Sequence, residues 1–250
     1  MESVTVIGSY LSPYVRKVLV CLDLKGIPYA VDPIVPFFGN DEFSRLSPLR
    51  RIPVLIDGDV TLCDSTIICE YLEERYEAAP IYPTSPADRA RARWLEEYAD
   101  SRMGEVFIWR YFNQLVIRRA VWGEGPDEQV LNKTVNEEIP AVLDYLEAQV
   151  PEAGYFFDPS RPCIADIAIA AMFRNAAFAR FSIDAVRWPR TAAYVSRCLG
   201  APPFERLADF EQILLRTGIP DHRVALAAAG APLSETTWGS SQPRRGVMSI

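Results

Sequence analysis

Histidine and lysine are scarce in this chain: there is one His, His222, and there are three Lys, Lys17, Lys25 and Lys133, among 250 residues. With a single imidazole, a Ser-His-Asp or Cys-His mechanism would rest on His222 alone, and that residue lies in the weakly patterned last part of the chain. The five cysteines (Cys21, Cys63, Cys69, Cys163, Cys198) include no CxxC pair, so neither a zinc site nor a disulfide framework is indicated and no metal is expected. A long apolar run is missing too. The stretch from Val224 to Ser234 is far too short to span a bilayer, and Glu2 stands where a basic leader would begin. A cytoplasmic protein with no membrane partner is the expectation. Positive charge is in deficit, 26 Lys and Arg against 33 Asp and Glu, and the net charge of -7 argues against nucleic acid as a partner.

What is present is a strand-and-helix alternation followed by helices alone. Val4-Thr5-Val6-Ile7 reads as a strand ending at Gly8. Pro13 opens a helix whose apolar positions Val15, Val18, Leu19 and Leu22 recur at helical spacing, and Gly26 closes it. Tyr29-Ala30-Val31 is a second strand, parallel to the first through a right-handed crossover. A short helix over Asp41 to Leu46 follows. Pro53 to Ile56, the turn Asp57-Gly58-Asp59 and Val60 to Leu62 then make a hairpin, and Asp64-Ser65 starts another helix running to Tyr76.

Three prolines and no periodic pattern mark residues 79–86 as a linker. Beyond it strand signals stop. Helices are expected over Ala87 to Val121, Val130 to Val150 with Pro140 starting or kinking it, Ile164 to Phe178, Trp188 to Cys198, and Phe204 to Thr217. The helix at Ile164 is apolar almost all round and is read as the buried centre of a bundle. From Gly218 on, Ala-rich and then Ser/Gly/Pro-rich composition predicts a partly disordered tail.

Three motifs in this order resemble those of cytosolic glutathione transferases of the serine type, bacterial-like. They are SPYVRKV (Ser12 to Val18), RIPVLIDGDVTLCDSTIICEYLEERY (Arg51 to Tyr76) and IADIAIA (Ile164 to Ala170). The resemblance covers roughly residues 3–215. It implies a thioredoxin-like βαβ-α-ββα domain over 1–78, a linker over 79–86 and an all-helical bundle over 87–217, with 218–250 left as the tail. It also implies a homodimer that takes glutathione as co-substrate and a hydrophobic, aromatic small molecule as electrophile. Conjugation, thiolytic cleavage and peroxide reduction all stay open. So does a protein that keeps this fold as a ligand-binding or protein-interaction module without turnover.

The resemblance assigns roles residue by residue. A free thiol with a pKa of about 8.5 is only slightly ionised at neutral pH, so a glutathione-using enzyme must favour the thiolate. Ser12, before Pro13 at a helix start, is an ordinary N-cap on local sequence, and the resemblance makes its hydroxyl the thiolate contact. Tyr10 is the competing hydroxyl. Thioredoxin-like dithiol enzymes place Cys-Pro-Tyr-Cys at such a helix start. Ser12 and Val15 replace both sulfurs here, so the thiol must come from the ligand. The resemblance further makes Ile52-Pro53 a cis bond, with the Ile52 backbone pairing with the cysteinyl part of the peptide. Ser65 would hold the γ-glutamyl carboxylate, Asp64 would face its ammonium, and Arg51 would meet the glycine carboxylate. Asp166 is read as structural, reaching back to the start of its own helix. Cys163 stands there in place of the usual Ser or Thr and predicts a cap weaker by ~1 kcal/mol. An electrophile pocket is expected between the domains, from Tyr10, Phe37, Met103, Phe107, Arg110 and Tyr111.

Overall fold

A computed structural model describes residues 3–245, which divide into two compact units, residues 3–79 with 205–245, and residues 80–204. The first unit is built on four short strands, β1 (Val4–Ile7), β2 (Tyr29–Asp32), β3 (Val54–Asp57) and β4 (Val60–Cys63), in the order β2-β1-β3-β4. β1 and β2 are parallel through helix α1 (Pro13–Leu24), as the crossover rule requires, whereas β3 runs antiparallel to both β1 and β4. Helix α2 (Asp41–Leu46) precedes β3, and helix α3 (Ser65–Arg75) follows β4. The core of this unit is the apolar face that α1 presents, Val15, Val18, Leu19 and Leu22, with Ile68 and Leu72 of α3 and Val4, Val6 and Leu55 of the sheet, all fully buried.

Gly8, at the exit of β1, has φ 151, and a Cβ placed there would sit 2.4 Å from Val15 Cγ2 and 3.0 Å from Ile52 Cβ. Only glycine fits this close approach of three chain segments. The far end of α1 is tied down as well: the Lys25 ammonium donates to the carbonyls of Tyr76 (2.9 Å) and Ala78 (3.2 Å) and pairs with Glu73 at 2.9 Å.

The helical unit opens with α4 (Pro86–Tyr98), which continues unbroken as a wider-turned helix over Ala99–Trp122 and ends at Gly123 with φ 68. Helix α5 (Glu128–Lys133) passes through a wide turn, Thr134–Glu138, into α6 (Ile139–Gln149), the wide turn standing just before Pro140, whose ring cannot supply a helical N–H. Helix α7 (Ile164–Phe178) is buried at every position from Ile164 to Phe173 and is the centre of the unit. Helix α8 (Pro189–Leu199) packs beside it. Asp166 caps α7 from inside. One carboxylate oxygen accepts the Cys163 N–H at 2.8 Å, while the other accepts the Phe156 N–H at 3.0 Å and the Tyr194 hydroxyl at 2.7 Å.

The last part of the chain departs from expectation. Helix α9 (Pro202–Arg216) groups from Glu205 onward with the first unit, not with the helical bundle. The tail expected to be partly disordered from 218 carries helix α10 (His222–Ala228) and an extended strap over residues 231–244; only residues 246–250 of it lie outside the described residues. The strap makes a parallel bridge from Leu233 to Val31 and an antiparallel one from Gly239 to Gly39, so it lines the otherwise open edge of β2. Composition hid this because the strap is held by backbone hydrogen bonds, which leave no mark in residue type.

Candidate functional site

Sheet register gathers the sequence-predicted residues of the first unit. Ile7 pairs with Val54, and Val54 pairs with Cys63, so these three residues form one row across the sheet. The chain leaving Ile7 enters the Ser12 loop, the chain arriving at Val54 comes from Arg51-Ile52-Pro53, and the chain leaving Cys63 is Asp64-Ser65. All six candidate glutathione residues therefore stand at one end of the sheet. The N-termini of α1 and α3 stand there too, and the positive ends of two helix dipoles make that end favourable for anions.

Ser12 is the N-cap of α1, with extended backbone (φ -78, ψ 129), and its oxygen accepts the Val15 N–H at 3.4 Å. The cap and the thiolate contact are compatible: the oxygen is used as acceptor, which leaves the hydroxyl proton to be donated elsewhere. Ser12 is half-buried, open enough for a ligand. Tyr10 is not. Its side chain is 1% exposed, its ring packs on Phe210 with centroids 5.3 Å apart, and burial pushes its phenol pKa far up. In the structure Tyr10 is a core residue of the first unit.

The Ile52-Pro53 bond is cis. Ser47 holds the residue before it, its hydroxyl donating to Arg51 O at 2.8 Å and accepting from Arg51 N at 2.9 Å. Arg51 is exposed, whereas Arg50 turns away at φ 52 and donates to the carbonyls of Gly39 (2.9 Å) and Pro36 (3.4 Å) and to the Ser44 hydroxyl. Asp64 caps α3, accepting the Thr66 N–H at 2.9 Å, in an unusual conformation (φ 76, ψ 130) that costs a non-glycine residue about 1–3 kcal/mol. Ser65 follows it, 4% exposed. Lys17, itself buried, donates to Thr66 Oγ1 at 3.1 Å and so joins α1 to the first turn of α3.

The remaining pocket candidates fall elsewhere. Met103 and Phe107 have no exposed surface, and the Phe107 ring packs on Phe173 (5.0 Å) and Phe181 (5.7 Å). Tyr111 stacks edge-on to Phe181 and donates its hydroxyl to Ala179 O at 3.2 Å. These three belong to the core of the helical unit, the usual fate of aromatics at helical spacing. Arg110 is paired with both Glu105 and Glu138. Phe37 is buried in the turn Pro36–Phe38. Sequence reading missed Ser47, Arg50 and Lys17. Only the doubled arginine at 50–51 hinted at one of them.

A four-stranded mixed sheet with flanking helices and a cis-proline turn defines a thioredoxin-like domain, joined to a helical unit. Residues 6–80 match the family model described as "Glutathione S-transferase, N-terminal domain". It is 35% identical over 104 residues to "Glutathione S-transferase U3" of Arabidopsis thaliana, covering 41% of this chain and 46% of that one. It is 39% identical over 80 residues to "Stringent starvation protein A homolog" of Haemophilus ducreyi, covering 32% of this chain and 37% of that one. The matched stretches span about half or less of these relatives' length. Among solved structures it resembles a glutathione S-transferase from Methylobacterium radiotolerans in complex with glutathione sulfonate, with TM-score 0.68, 23% identity, and coverage of 82% of this chain and 94% of that one. At that identity the likeness speaks for the fold. Among the described residues no helix is long and apolar enough to cross a membrane, and no group of three or more His, Cys, Asp and Glu could hold a metal ion.

Proposed function

We propose that the protein is a cytoplasmic, homodimeric glutathione transferase that binds glutathione at the shared end of β1, β3 and β4 and directs its thiolate at an apolar electrophile. The observation that carries this reading is the row Ile7–Val54–Cys63, which supports one peptide-binding end made of two helix N-termini and the Ile52 backbone. Each charged part of glutathione has a complement there: Ser12 and the α1 N-terminus for the thiolate, Ile52 for the cysteinyl backbone, Ser65 and Asp64 for the γ-glutamyl end, and Arg51 for the glycine carboxylate. Lowering the thiol pKa by two units stabilises the thiolate by roughly 2.7 kcal/mol, the scale expected of one charge-assisted hydrogen bond plus a helix terminus. The bound thiolate attacks an electrophilic carbon, a C–S bond forms, and the leaving group departs with its electron pair.

Thiolate absorbance of bound glutathione, followed against pH, tests the assignment. Ser12→Ala should raise the bound-thiol pKa toward the free value; an unchanged pKa would leave Ser12 a cap and nothing more. A second reading, a glutathione-fold binding module without turnover, draws on the 39% identity to a relative named for stringent starvation, not for transfer. Glutathione binding without conjugation of any aromatic electrophile would favour it.

A further inference from the structure

We infer that the C-terminal strap, residues 231–244, is a positioning element of the glutathione site, acting through Arg50 on Arg51 and Ile52. This rests on the glutathione reading above and adds an element to it. The argument follows hydrogen bonds. Val31 N donates to Pro232 O at 2.7 Å and Ser234 N to Val31 O at 3.1 Å, which seats the strap on β2. The buried Asp32 carboxylate then accepts the Trp238 N–H at 2.7 Å and the Arg223 guanidinium at 3.0 Å, while its backbone carbonyl accepts the Gly8 N–H at 2.8 Å. Next the strap takes over the backbone of the 36–40 segment. Asn40 N donates to Trp238 O at 2.8 Å, Ser240 N to Phe38 O at 2.6 Å, and Arg244 N to Phe37 O at 2.7 Å, with Arg244 also paired to Asp41.

Arg50 takes Gly39 O at 2.9 Å, a carbonyl that neither the strap nor the segment's own turn is recorded as using, and shares Pro36 O, at 3.4 Å, with the Gly39 N–H that closes the turn at 3.3 Å. The 36–40 segment is thus gripped on one side by the strap and on the other by Arg50, the neighbour of Arg51. Arg50 holds a left-handed backbone conformation (φ 52) that persists only while its surroundings over-determine it. Without the strap, the segment exposes three backbone groups to water and has no fixed frame for the guanidinium. Arg50 relaxes, and Arg51 and Ile52 lose the spacing that lets one peptide meet both, so the effect falls on glutathione binding and not on the electrophile or the chemical step.

Two variants test this, Arg50→Met in the full chain and a chain ending at Gly230, each checked for folding by circular dichroism. Glutathione affinity is read by titration calorimetry, which needs no turnover, and by the split between KM and kcat. The expected result is a glutathione Kd and KM raised roughly tenfold, with kcat at saturating glutathione and KM for the electrophile unchanged within about twofold. If the shortened chain does not fold, Arg50→Met decides. Wild-type affinity in a folded Arg50→Met protein overturns the inference and leaves the proposed function standing, as does a fall in kcat with KM unmoved. Wild-type protein that binds no glutathione at millimolar concentration overturns both.

Discussion

Arg16, inside the first helix, and Glu211, 195 residues later in α9, form an ion pair in which the side chains are 0% and 1% exposed. The same guanidinium donates to Tyr10 O at 3.1 Å, on the loop that leads to Ser12. A charge pair this deep is weak evidence for stability, because desolvating both ions offsets most of their attraction, but it is costly to break from one side.

Glu211→Leu should therefore destabilise the protein by about 3–5 kcal/mol, since it leaves a guanidinium buried beside a hydrocarbon. The double variant Arg16→Met/Glu211→Leu should recover much of that loss. Urea unfolding measures both, and a Glu211→Leu cost below about 1 kcal/mol would show that the pair is not a closed, water-free contact.

The Asp166 carboxylate is the acceptor for three buried donors, the N–H groups of Cys163 and Phe156 and the Tyr194 hydroxyl. Tyr194→Phe removes one donor cleanly and should cost about 1–2 kcal/mol. Asp166→Ala strands all three and should cost at least about 3 kcal/mol, or prevent folding of the helical unit. Because Asp166 accepts more than its own cap bond, the weak cap expected from Cys163 should be masked: Cys163→Ser should gain less than about 1 kcal/mol. Thermal unfolding of the three variants ranks them.

His222 is 4% exposed, its Nε2 facing Thr217 O at 3.1 Å, and burial holds its pKa below the ordinary 6.5. The sign follows from proton counting. Between its folded value and 6.5 the unfolded chain binds more protons than the native one, so stability rises with pH across that window and falls as pH drops below 6.5. Replacing His222 by Asn should flatten this part of the stability curve. Urea midpoints at pH 7.5 and 5.5 supply the check, and an unchanged slope in the variant would assign the pH dependence to other groups.

Legibility tracked the range of the interactions. The βαβ start, the hairpin around Gly58, Ser12 and Asp64 as caps, and the all-apolar α7 depend on neighbours within a turn or a strand, and sequence carries those signals directly. Pro13 read correctly as a first-turn residue for the same reason. Aromatic pocket residues were the weakest reading. Met103, Phe107 and Tyr111 carry the periodicity of a helix face, and periodicity does not distinguish a face turned to a ligand from one turned to Phe173 and Phe181.

By itself the sequence determined the order of elements, the caps of α1 and α3, and the absence of a dithiol at the α1 start, where Ser12 and Val15 stand. Tertiary structure alone decided the row Ile7–Val54–Cys63, the burial of Tyr10 under Phe210, the commitment of Arg50 to two backbone carbonyls, and the return of residues 231–244 to the edge of β2. The physical reason is common to all four. Each depends on contacts between segments far apart in the chain. Those made through backbone N–H and C=O groups are invisible in composition, because every residue but proline carries the same pair.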